Sequence, residues 1–278
     1  MWRLTRPDAV EVMSDERAWS ALSRYFMILQ GRRVPKFRIS KGIQVDEMSW
    51  DEHSKALTKF EHVERDVDDK GDVNIVEPNL LDLKVKLSKD ILRHCTFCER
   101  RCGVDRTKDV GFCSCGVDAE ISSWFTHLGE EPEIVPSFTI FFMGCTLRCV
   151  YCQNYSISQW LEVGKGVRVE ETARAIERAW ANGCRNVNFV GGEPTPWTHF
   201  ILSVMRVCEC NIPVVWNSNS IYSSETAELL RGFVDVYLLD FKYGPGDCSS
   251  KLSGFDRYWE VCTRNHKIAK ESGELIIR

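Results

Sequence analysis

The pattern of apolar and polar positions divides the chain near residue 136. Beyond it, short β-rich apolar runs recur: FTIFF (138–142), NVNFV (186–190), PVVWN (213–217), VDVYLLDF (234–241) and ELIIR (274–278). Helical spacing fills the intervals, over residues 169–182, 197–210, 223–231 and 255–271. Strand followed by helix, repeated, predicts parallel strands joined by right-handed crossovers, hence an α/β sheet or barrel.

Upstream the pattern differs. Residues 14–30 read as one amphipathic helix, with Ser14 as cap, Asp15 and Glu16 in the first turn and Gly31 as the stop. Ala18, Leu22, Tyr25 and Leu29 form a stripe that is expected to pack on the rest of the protein. From Asp46 to Asp72 the chain turns acidic and polar, ending in DVDDKGD, which predicts solvated helix and loop. His53 and His62 have no spacing that selects a metal, so surface or packing roles are expected. The resulting division is a helical and acidic extension without chemistry (1–90), a cysteine-rich leader (91–136) and the α/β region (137–278).

Composition narrows the chemistry. With 278 residues, 44% of them hydrophobic, the chain can bury a core without disulfide staples. Its 13 cysteines are an odd number, and MWRLTRPDAV lacks the apolar stretch of a secretory signal. The expectation is a reducing cytoplasm, where clustered cysteines mean metal or catalysis. No apolar run approaches the ~20 residues of a membrane span. A net charge of −4 gives no electrostatic case for a nucleic-acid partner.

In parallel α/β folds the chemistry gathers where the strands end. Here the first run leads into Cys145, and the second into Gly191, Gly192 and Glu193. The third leads into Asn217, Ser218 and Asn219, and the fourth into Asp240 and Lys242. These groups are therefore predicted to share one rim. Cys145, Cys149 and Cys152 are spaced C-x3-C-x2-C, and soft thiolates select zinc, copper(I) or iron–sulfur clusters. A closed zinc site needs a fourth ligand, which this loop lacks. A [4Fe–4S] cube on three thiolates keeps one iron open for a reacting ligand.

The stretch GCTLRCVYCQN resembles the cluster loop of radical S-adenosylmethionine (SAM) enzymes, C-x3-C-x-aromatic-C, with Tyr151 at the aromatic position. Over residues 91–278 the chain is similar to glycyl-radical-enzyme activases of the pyruvate formate-lyase activating type. The resemblance implies a partial (β/α) barrel, a [4Fe–4S] cluster on the three cysteines, and SAM bound to the open iron. It places the SAM amino group near Gly191, Gly192 and Glu193, with further contacts from Asn217, Ser218, Asn219, Asp240 and Lys242, and assigns no separate catalytic residue. It also implies a flavodoxin- or ferredoxin-type electron donor and a glycyl radical enzyme as partner. Relatives acting on other peptides or small molecules leave the substrate open, and a non-catalytic zinc-binding protein is the alternative of another class. Against a six-unit barrel the chain stops in its fifth strand, so slow SAM cleavage is expected.

The leader HCTFCERRCGVDRTKDVGFCSCG holds Cys95, Cys98, Cys102, Cys113 and Cys115. C-x2-C-x3-C with a fourth cysteine ten residues on can hold zinc or a second iron–sulfur cluster, with Cys113 and Cys115 competing for the fourth place. His94 reads as a bystander.

Overall fold

A computed structural model describes residues 2–70, 73–162 and 164–278, with the backbone alone for 66–70. Seven strands form one sheet: β1 (Glu120–His127), β2 (Ser137–Phe142), β3 (Lys165–Gly166), β4 (Asn186–Gly191), β5 (Val214–Ser218), β6 (Val236–Leu239) and β7 (Glu274–Ile277). Their order is β3-β1-β2-β4-β5-β6-β7. From β2 through β7 every pair is parallel, and β1 is antiparallel to both β2 and β3. The sheet is not closed, and this is the partial-barrel arrangement that the strand–helix repeat predicts.

Each strand divides its residues between two faces. One set, with Phe138, Ile140, Phe142, Val187, Phe189 and Trp216, packs into the main core beneath the crossover helices Val169–Ala181, Thr198–Val207 and Ser224–Leu230. Val215, Val236 and Leu238 instead meet Ala18, Leu22, Tyr25 and Phe26. The N-terminal extension thus fills the concave side. Asn186, first residue of β4, donates to the Tyr25 hydroxyl at 2.9 Å, which puts this filling at the strand starts and frees the strand ends.

The stripe of residues 14–30 packs as predicted, but the single helix does not form. Helix Glu16–Ala21 is capped by Asp15, which accepts from the Ala18 N–H at 2.8 Å, and a second helix, Ser23–Leu29, follows after Leu22 turns out of helical geometry. The Glu274 carboxylate on β7 accepts from the N–H groups of Arg24 and Tyr25 at 2.7 and 2.8 Å. Two carboxylates satisfying two sets of orphan donors make two helix starts. The acidic stretch forms helix Trp50–Lys70, which buries Ala56, Leu57 and Phe60 and so is half core rather than wholly solvated. The end of DVDDKGD, Gly71 and Asp72, lies outside the described residues. Helix Leu80–Ile91 starts at an Asn79–Asp82 capping box. Among the described residues no helix is long and apolar enough to cross a membrane.

His53 packs inside. Its Nε2 accepts from Lys84 Nζ at 2.9 Å, and Lys84 also donates to the Glu228 carbonyl, tying three helices together. Burial, reinforced by the Lys84 charge, pushes the His53 imidazole down to about 2. The folded value lies below that of a free histidine, so below about pH 6.5 the unfolded chain binds a proton that the folded chain refuses. Stability from His53 is complete above that pH and is lost as pH falls toward 2. Between pH 7 and pH 5 we expect a loss of about 2 kcal/mol that His53→Gln removes, measured as the difference in urea midpoints.

Candidate active site

A cleft of about 580 Å³ opens at the carboxyl ends of β2, β4, β5 and β6. Its walls include all three cysteines of the 145–152 loop and all eight residues predicted at the following strand ends. The leader cysteines do not line it.

Each sulfur of the loop has a hydrogen-bonding neighbour. Cys145 Sγ accepts from the Leu147 N–H at 3.4 Å and from Asn219 Nδ2 at 3.6 Å. Cys149 Sγ accepts from Ser253 Oγ at 2.9 Å, and Cys152 Sγ lies 3.3 Å from Ser158 Oγ. Ser253 is held by Tyr243, whose hydroxyl accepts from Tyr151 at 2.5 Å. The motif's aromatic residue is therefore connected to the central cysteine through two hydroxyls. Burial, followed by the Glu193 charge, pushes the Cys145 thiol up, and a bound cation would reverse that.

This donor set fits a cube. Among the described residues no three His, Cys, Asp or Glu side chains converge on a position for one metal ion. Tetrahedral zinc with bonds of about 2.3 Å needs its thiolates crowded together. A cube seats each thiolate on a different iron and tolerates wider spacing, while donors to sulfur are the contacts that tune such clusters.

The glycines also meet a packing demand of their own. A Cβ on Gly191, whose φ is +115°, would lie 2.1 Å from Phe142 N; one on Gly192 would lie 2.0 Å from Gly144 O. The close approach is of backbone to backbone: the end of β4 presses on the start of the cysteine loop. Both glycines still line the cleft.

Glu193 is 1% exposed. Its Oε1 accepts from Thr195 N, Thr195 Oγ1 and Ser218 Oγ at 3.2, 2.5 and 2.7 Å, and its Oε2 accepts from the Asn219 N–H at 2.9 Å. Burial raises its proton affinity, and these donors oppose that. With three bonds on Oε1 and one on Oε2, the remaining acceptor capacity lies on Oε2. Asp240 and Lys242 form a 2.5 Å pair that is largely buried in the cleft wall rather than an exposed strand cap. Arg278 reaches the same wall, donating to Asp240 Oδ1 and Asn217 Oδ1, both at 3.0 Å.

Three titratable or charged cleft residues have no local mark in the sequence: His127, Glu130 and Arg278. Glu130 is buried, accepts from Asn188 Nδ2 at 3.2 Å, and is pushed up to about 7 by burial and by the neighbouring Glu131. His127 ends β1, a strand whose EISSWFTH pattern has no clean alternation, so neither it nor the loop carrying Glu130 stands out.

The sequence model of the Radical SAM superfamily matches residues 139–275, which span the cysteine loop and the strand ends that line the cleft. The chain belongs to this superfamily, and membership implies a [4Fe–4S] cluster and SAM. An uncharacterized protein of Methanocaldococcus jannaschii is 42% identical over 271 residues, covering 92% of this chain and 78% of its own. A second protein of that organism, named as a glycyl-radical enzyme activating enzyme, is 30% identical over 142 residues. The pyruvate formate-lyase-activating enzyme of Clostridium pasteurianum is 29% identical over 120 residues. The matches to these two activases span 51% and 49% of their lengths.

Proposed function

We propose that the protein cleaves SAM reductively in the cytoplasm and passes the radical to a glycine of a glycyl radical enzyme. The observation that supports this most is the convergence of the three-cysteine loop and the Glu193 network on one cleft. Cys145, Cys149 and Cys152 hold the cube; Leu147, Asn219, Ser253 and Ser158 orient and stabilise the thiolates. Glu193 Oε2 accepts from the SAM ammonium, a charge-assisted contact in a buried site. Asn217, Ser218 and Asn219 line the SAM side of the cleft, and Asp240 with Lys242 fixes its far wall. When bound, the reduced cluster supplies one electron, which splits SAM into methionine and a 5′-deoxyadenosyl radical. That radical takes a hydrogen atom from the substrate carbon, leaving 5′-deoxyadenosine and a substrate radical. A flavodoxin- or ferredoxin-type donor would supply that electron.

The test is anaerobic reconstitution with iron and sulfide, reduction, and addition of SAM with a glycyl radical enzyme encoded near this chain. The expected result is a brown protein that releases 5′-deoxyadenosine and produces the electron paramagnetic resonance doublet of a glycyl radical. Release of 5′-deoxyadenosine without that doublet would overturn the activase role and redirect the search to other peptides or small molecules. A colourless zinc protein that releases no nucleoside would overturn the whole reading.

A further inference from the structure

Two cysteines that take no part in the cleft touch one another. Cys208 closes helix Thr198–Val207, Cys210 lies in the connection from there to β5, and their sulfurs are 3.5 Å apart. Neither lines the cleft. Side chains two positions apart share a face only where the backbone is extended, and Cys208 is extended, with φ at −68° and ψ at 130°. Three elements hold the backbone there. Cys208 N–H donates to Val204 O at 3.1 Å, within the preceding helix. Cys208 O accepts from Lys41 Nζ at 2.5 Å, so the N-terminal extension grips the same residue through a lysine that is itself buried. Glu209 N–H, between the two cysteines, donates to Glu177 Oε1 on helix Val169–Ala181 at 2.8 Å. With the backbone fixed from outside, the sulfur contact is built into the fold.

The two thiols are unequal. Cys208 is 0% exposed, whereas Cys210 is only half-buried and open to a reagent. The Cys208 thiol, donating to the Cys210 sulfur, holds Cys210 below the ordinary thiol range against the effect of burial, and the same contact pushes Cys208 up. An accessible sulfur biased toward thiolate, with a buried partner beside it that can resolve a mixed disulfide, is the arrangement of a redox-sensitive pair.

We infer that Cys208 and Cys210 form a dithiol–disulfide couple, a redox modification site separate from the cleft whose co-reactant is a small disulfide. The Cys210 thiolate attacks one sulfur of that disulfide; the bond between its halves breaks, and one half leaves as a thiol with the proton that Cys210 gave up. Cys208 then loses its proton and attacks the Cys210 sulfur of the mixed disulfide, expelling the second half as a thiol. Two protein thiols are oxidised and one disulfide is reduced to two thiols, so electrons and protons balance. Closing the bond brings the sulfurs from 3.5 Å to about 2.05 Å, a shift that side-chain rotation supplies. β5 begins just beyond the pair and carries Asn217 and Ser218 into the cleft at its other end. The oxidation therefore takes place away from the three cysteines of the cluster loop.

The probe is oxidised glutathione, added without oxygen to the full chain; remaining thiols are then blocked with iodoacetamide and the chain is cut with trypsin. Arg206 and Arg231 bound a peptide, 207–231, that contains Cys208 and Cys210 and no other cysteine. The expected result is that at least about nine-tenths of this peptide is closed, two hydrogens lighter and without an alkyl group, and that dithiothreitol returns it to the doubly alkylated form. In Cys208→Ser, Cys210 should stop at the mixed disulfide; in Cys210→Ser, the buried Cys208 should take up at least about tenfold less glutathione. Circular dichroism confirms that both variants are folded. The exposed Cys102 and Cys248 report that the oxidant has acted. A peptide that stays doubly alkylated while those two carry glutathione overturns the proposal, as does one that carries a glutathione on each cysteine. No readout here uses SAM or iron, so failure leaves the cleft's assignment standing, and failure of that assignment leaves this one testable.

Discussion

Cys149→Ala is expected to abolish SAM cleavage, lowering 5′-deoxyadenosine release by at least about a thousandfold, or ~4 kcal/mol of barrier. Cys149 is the middle one of the three proposed ligands, and its sulfur accepts the Ser253 hydroxyl at 2.9 Å at the end of the chain from Tyr151 through Tyr243. Alanine removes the thiolate and leaves those hydroxyls aimed at nothing. Two cysteines would hold a cube less firmly than three, and geometry errors of an ångström already cost orders of magnitude in rate. The control is Cys184→Ala. Cys184 is buried beside Thr126, with Sγ 3.4 Å from that hydroxyl, and does not line the cleft. That variant should keep its iron and its activity. Nucleoside release is measured by chromatography and iron by elemental analysis on the same samples. A Cys149→Ala protein that retains more than a tenth of wild-type turnover would remove the triad from the reaction.

The parts of this fold that were legible in the sequence are those where one signal dominates. The runs at 138–142, 186–190 and 213–217 each become a strand because Val, Ile and Phe there bury against helices whose spacing is equally plain, as in helix Val169–Ala181. The rim residues could be placed because parallel strands with crossovers put all their carboxyl ends on one side. β1 was hidden for the opposite reason: EISSWFTH has a mixed burial pattern that no single period describes, although it pairs with the very next long strand, β2. The two-helix break at Leu22 depends on Glu274, some 250 residues away in sequence. His53, left in the sequence between a surface and a packing role, is placed inside only by Lys84 and the three helices that enclose the pair. In the leader, the spacing suggested a metal but could not choose between Cys113 and Cys115.

Gly192→Ala should be among the most damaging single substitutions to stability outside the cysteines, because the added carbon has no way out. It would lie 2.0 Å from Gly144 O, 2.8 Å from Gly144 C and 3.1 Å from Ser158 Cα, all backbone atoms, while Gly192 N–H already donates to Phe142 O at 2.8 Å. Relief requires moving either the end of β4 or residues 143–145, and both are pinned. Met143 O accepts from Trp197 Nε1 at 2.8 Å, and Gly144 N–H donates to Ile157 O at 2.9 Å. We expect a loss of about 3–5 kcal/mol, at the upper end for overpacking. A loss of iron should accompany it, since Gly144 is joined directly to Cys145. Gly183→Ala provides the comparison: φ there is +87° but nothing lies within 4 Å, so conformational strain acts alone, at about 1–2 kcal/mol and with iron retained. Urea unfolding gives the two stabilities, and iron content after anaerobic reconstitution gives the second readout. If Gly192→Ala costs no more than Gly183→Ala and keeps its iron, the pressure of β4 on the cysteine loop is not what holds that loop in place.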